Sequence, residues 1–125
     1  VLTGKVNSSL EAVVRLWIRG PEGEALETEA IIDTGFSGFL SLPQHLVARL
    51  GLSFQGRIHG ILADGTEGTF QIYEALVLWH GQPHPIIVSA VENEPLLGMA
   101  MLRGSELALQ VIDGGEVTIH ELSVS

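Results

Sequence analysis

The chain has 125 residues, 46% of them hydrophobic, no cysteine, and a net charge of −9 from six Lys and Arg against fifteen Asp and Glu. Apolar content of that order in one domain's length, residues 1–125, argues for a packed core over disorder, and the missing cysteines exclude disulfides and thiolate metal sites and fit a cytoplasmic setting. The acidic balance provides no basic stripe for nucleic acid or an anionic membrane, and no apolar run nears the ~20 residues of a membrane helix, so neither partner is expected.

In chain order, "LEAVVRLWIR" is rich in Val, Ile and Trp and predicts a strand. "GPEG", residues 20–23, has Pro and Gly where a hairpin turn wants them, and "EALETEAII" returns as a second strand ending at Asp33. "LPQHLVARLGL" predicts a short helix. Pro43 stands in its first turn, Leu46, Val47 and Leu50 line one face, and Gly51 ends it.

From Phe54 the pattern is β again, with a hairpin whose tip is "ADGT" and whose arms carry Gly60, Gly65 and Gly68. "ALVLWHGQPHPIIVSAV" predicts a hairpin over "HGQPHP". "PLLGMAMLRG" reads as a strand end running into one or two helical turns, and "LALQVIDGGEVTIHEL" as two strands about a Gly-Gly turn. The sum is about eight short strands and two short helices, mainly β.

Several constellations carry little. His80 and His84 are spaced as helix-borne metal ligands, but Gly81, Pro83 and Pro85 forbid that helix, so no metal is expected. "GFSGF" lacks the Gly that a nucleophile elbow needs two residues after Ser37. No Gly-rich phosphate loop follows a strand, so no cofactor is expected. Of the three aspartates, Asp64 in "ADGT" and Asp113 in "IDGG" are turn residues, whereas Asp33 ends an apolar strand, where an unpaired charge is costly.

"IIDTGFSGFLSLP" resembles the active-site segment of retropepsin-like aspartic peptidases: two apolar residues, Asp-Thr-Gly, then an apolar strand. Downstream, "PLLGMAML" resembles the family's second signature, two aliphatic residues and a Gly before a short helix, and "GILADGTEGTFQI" falls where the family keeps its flap hairpin. The resemblance covers about residues 8–120. It implies a small closed acid-protease barrel with a flap and one or two short helices. The implied activity is aspartic endopeptidase, acting on a peptide or protein substrate.

The chemistry of the residues agrees. Hydrolysis by two carboxyls needs one as base toward water and one as acid toward the carbonyl oxygen, and two carboxyls in hydrogen-bonding reach share a proton because both cannot ionise. Only one Asp-Thr-Gly occurs here, so the second carboxyl must come from another copy across a two-fold axis: a homodimer.

By resemblance, Asp33 is half of the dyad, Thr34 bonds across the axis, and Gly35 gives the tight turn. Phe36 and the hairpin residues Ile61, Leu62, Ala63, Asp64, Gly65 and Thr66 would meet substrate. Leu96, Leu97 and Gly98 would pack beneath the loop. Phe36 departs from the family's usual small residue, and Asp64 and Glu67 make the tip acidic. In viral members the chain ends form a shared sheet, which would fall here on "ELSVS". The alternative is a non-catalytic barrel that binds peptides or dimerises, and Val1 in place of Met hints at a longer precursor.

Overall fold

A computed structural model describes residues 1–61 and 65–123. Its elements are β1 (Leu2–Val6), β2 (Ala12–Arg19), β3 (Ala25–Ile32), β4 (Leu40–Leu42), α1 (Gln44–Leu50), β5 (Ser53–Ile61), β6 (Glu67–Trp79), β7 (Gln82–Ala90), β8 (Leu96–Leu97), α2 (Met99–Leu102), β9 (Ser105–Leu109) and β10 (Glu116–Glu121). The strands join in the order β5-β6-β7-β4-β8-β3-β2-β1-β10-β9.

The mainly β expectation stands, but the closure is looser than a regular barrel. Six strands, β6-β7-β4-β8-β3-β2, form a ring that shuts through only two residue pairs, Ile18 with Val77 and Arg19 with Leu76. Strand β1 is additional to those read from the sequence, and β4 is the apolar strand that the resemblance implied after Asp-Thr-Gly. β1 is short and carries Gly4, where a side chain would run into the carbonyl oxygen of Val13, so glycine lets β2 approach closely.

Alternation makes the core. Leu16 and Ile18 of β2, Val77 of β6, Val88 of β7, Leu40 of β4 and Leu97 of β8 are all fully buried. Each such side chain contributes about 1.5–3 kcal/mol relative to exposure. Helix α1 buries Leu46, Val47 and Leu50 as the pattern predicts, but Pro43 sits one residue before it in extended conformation. The Glu92 carboxylate accepts the first helical N–H, that of Gln44, at 3.1 Å. Gly51 closes the helix at φ 60°, a left-handed conformation in which glycine carries no Cβ penalty.

The β6–β7 turn is tighter than "HGQPHP": only His80 and Gly81 form it, at φ 50° and 78°. Pro83 and Pro85 instead lie within β7, where its other edge is unpaired because β4 meets it only at Val88–Ala90.

Candidate active site

Strand β3 ends beside β8, and the Asp33 N–H extends that parallel ladder by one bond, to the Leu97 carbonyl at 2.9 Å. The chain then reverses. Gly35 N–H donates to Asp33 Oδ1 at 2.9 Å and Phe36 N–H to the Asp33 carbonyl at 3.1 Å, so the loop orients its own carboxylate. A Cβ on Gly35 would stand 3.3 Å from that Oδ1, crowding it. Asp33 is half-buried, and Thr34 and Gly35 are exposed at the apex.

The segment after β8 is laced to this loop. Gly98 N–H donates to the Phe39 carbonyl (3.0 Å), Met99 N–H to that of Phe36 (2.8 Å) and Ala100 N–H to that of Gly38 (3.1 Å). Any side chain on Gly98 would strike the Gly38 carbonyl oxygen and come within 2.6 Å of the Phe36 ring. On Gly38 it would meet the same ring at 2.6 Å. This accounts for the bulky Phe36: two glycines, one from each motif, make room for its ring, which is half-buried over them.

Lateral register shows what shares a face with the carboxylate. Ile31 pairs with Leu96, Leu96 with Ser41, Ser41 with Ser89, and Ser89 with Ile72. This row lies on the face opposite the core row of Leu97, Leu40, Val88 and Tyr73. Asp33 is two residues beyond Ile31, so strand alternation puts its side chain on the row's face. The same face runs along β6 to Phe70 and across to Ile58 of β5. It is a half-buried, largely apolar strip crossing from the acid to the hairpin.

The sequence reading placed Ile58, Phe70 and Ile72 in the flap, Ile58 to Ile72, by resemblance, but did not include Ile31, Ser41 or Ser89 in a site. Ile31 was within reach, since position i−2 from a strand-end aspartate shares its face. Ser41 and Ser89, and the continuity of the flap residues with the face of the acid, needed the register of strands remote in sequence.

In the β5–β6 hairpin, Ile61, Gly65 and Thr66 are exposed, and Gly65 has φ 87°. Leu62, Ala63 and Asp64 lie outside the described residues. The Phe70 ring covers Gly60, where a Cβ would come within 2.7 Å of it. Among the described residues no three His, Cys, Asp or Glu side chains gather as a metal site, and His80 is engaged with Ser105 Oγ at 2.8 Å. No helix among them is long and apolar enough to cross a membrane.

No family model and no curated protein matches the chain. Among solved structures, the chain is similar to a retropepsin-like aspartic protease from Rickettsia conorii, with a TM-score of 0.63 and 14% identity over 98% of this chain and 91% of that one. At that identity the likeness establishes the shared fold. The paired motifs, Asp-Thr-Gly beside Leu-Leu-Gly, thus sit on a retropepsin-like scaffold.

Proposed function

We propose that the chain is an aspartic endopeptidase whose active site forms when two copies bring their Asp33 carboxyls together. The observation that carries this reading is the held carboxylate. Asp33 is fixed by its own loop, the loop is bonded to Leu97–Ala100, and the acid faces the same side as an apolar strip long enough for an extended peptide.

In that site one Asp33 carboxylate takes a proton from the water between the pair as the water oxygen attacks the peptide carbonyl carbon. The protonated partner carboxyl gives its proton to the carbonyl oxygen. The resulting diol collapses as the C–N bond breaks: a hydroxyl proton returns to one carboxylate, and the acid proton passes to the leaving nitrogen. Thr34 bonds across the axis and holds the loops in register. The hairpin closes over the peptide, limiting bulk water, and main-chain hydrogen bonds hold the peptide extended. Ile31 and Leu96, half-buried beside the acid, favour apolar side chains next to the cut bond.

Asp33→Asn tests this. Wild-type chain should cleave members of a peptide library between about pH 4 and 7, where a proton-sharing pair operates. The variant should lose that cleavage while keeping its circular-dichroism spectrum and oligomeric state. A wild-type chain that binds peptides but cuts none in that range would instead be a peptide-binding module on the same fold.

A further inference from the structure

The strands nearest the chain ends are largely paired within the chain: β10 by β1 and β9, and β1 by β10 over Leu2–Lys5 and by β2 over Gly4–Val6. Over those paired stretches a second copy cannot add a strand without breaking an intrachain ladder. We propose that the second copy docks on two turns that expose aliphatic side chains at the Asp33 end of the sheet: Asn7–Glu11 between β1 and β2, carrying Leu10, and Gln110–Gly115 between β9 and β10, carrying Val111 and Ile112. This assignment rests on the two-copy active site proposed above, and it names the surface that builds it.

Register places both turns at the right end of the sheet. Ile31 pairs with Val13, Val13 with Lys5, and Lys5 with Glu116. Two residues further on in β3, and correspondingly along its neighbours, Asp33, Glu11, Asn7 and Gly114 line one end. With strands about 4.8 Å apart, Gly114 is roughly 14 Å from Asp33 along that end. Both turns are tied to the same residue, since Gly114 N–H donates to the Val6 carbonyl and Val6 N–H to that of Gly115.

Their side chains are unlike those of ordinary turns. Leu10, Val111 and Ile112 are 58%, 58% and 66% exposed. Met99, whose N–H bonds the Phe36 carbonyl at the foot of the Asp33 loop, is also exposed. Leu10 moreover sits at φ 59°, a left-handed conformation that a leucine adopts at a cost and that Asn or Gly would adopt readily. A strained, exposed leucine beside two exposed aliphatics is poorly suited to a free surface and well suited to a desolvated contact. A second copy fits it because the half-site lies at the same end, and both halves must meet there about one axis. Each copy carries a charge of −9, so the apolar contact works against mutual repulsion, and salt should strengthen it.

Sedimentation of the full chain over a range of concentrations and salt tests this, with Leu10→Asn, Ile112→Asp and a control, Trp17→Asp, at an exposed apolar site on β2 away from this end. Wild type should associate, more tightly at higher salt. Leu10→Asn and Ile112→Asp should each weaken association at least tenfold, and Trp17→Asp should leave it unchanged. Leu10→Asn should also raise the thermal midpoint of the monomer by relieving the turn, so fold and association move in opposite directions.

A wild type that stays monomeric throughout, variants that associate like wild type, or an equal loss in the control would each overturn the docking surface. Peptide cleavage separates this from the enzymatic reading. Association through these turns without cleavage leaves the surface intact and removes the peptidase. Cleavage by variants that associate normally removes the surface and leaves the peptidase.

Discussion

The Asp33–Phe39 loop and the β5–β6 hairpin are both glycine-bearing and flank the same apolar face, yet they are built oppositely. The loop is bonded to Leu97–Ala100 by four backbone hydrogen bonds and packed around Phe36, with Gly38 pressed against the ring and Gly98 against the Gly38 backbone. Beyond Gly56 the described hairpin pairs in the sheet only with itself, and Gly65 has open space around it. The loop is thus tied into the rest of the sheet, whereas the hairpin beyond Gly56 is held by its own ladder.

A matched pair of substitutions should break this contrast if it is wrong. Gly98→Ala should cost roughly 3 kcal/mol, because its Cβ strikes the Gly38 backbone oxygen, which cannot rotate away. Gly60→Ala meets only the edge of the Phe70 ring, which can turn aside, and should cost less than about 1 kcal/mol. Urea denaturation midpoints with unchanged slopes measure both. Equal losses would mean that the loop is no more tightly built than the hairpin.

A double-mutant cycle sharpens the account of Phe36. The three atoms nearest a Cβ on Gly38 all belong to that ring, at 2.6, 2.7 and 3.6 Å. Gly38→Ala should therefore destabilise wild type by roughly 1–2 kcal/mol and be nearly neutral in a Phe36→Ala background. Phe36→Ala alone should cost about 1–2 kcal/mol, less than a fully buried phenylalanine, because the ring is half-exposed. If Gly38→Ala costs the same in both backgrounds, the ring does not lie over the two glycines.

These contacts mark the limit of what the residues revealed by themselves. Short-range signals carried the β2–β3 hairpin with its Gly20–Gly23 turn, the apolar face of α1, and the adjacency of Asp33 to Leu96–Leu97 through family resemblance. What stayed hidden is non-local. The resemblance implied the apolar strand β4, but its three residues carry no periodicity to show that it joins β7 to β8 and creates the row beside the acid. Phe36 was opaque because its explanation sits on Gly98, 62 positions away by their numbers, 98 less 36. Leu10 and Ile112 read as strand residues, in "LEAVVRLWIR" and "LALQVIDGGEVTIHEL", whereas β2 begins at Ala12 and β9 ends at Leu109, which leaves both in turns.

The smallest expected effect has the opposite sign and tests whether the tightly built side is optimised throughout. Ser41 lies in β4, 4% exposed, and its hydroxyl has no hydrogen-bond partner among the described residues. A buried hydroxyl that gives up water without a partner destabilises, whereas replacing it by a methyl group of similar shape removes that cost. Ser41→Ala should then raise stability by up to about 1 kcal/mol, read as a higher urea midpoint. Destabilisation instead would show that the hydroxyl is bonded in solution. Its neighbours are half-buried Ser89 and Leu96 on the face that Asp33 shares, so a gain in stability here would mark a polar atom kept within an otherwise apolar strip against the interest of the fold.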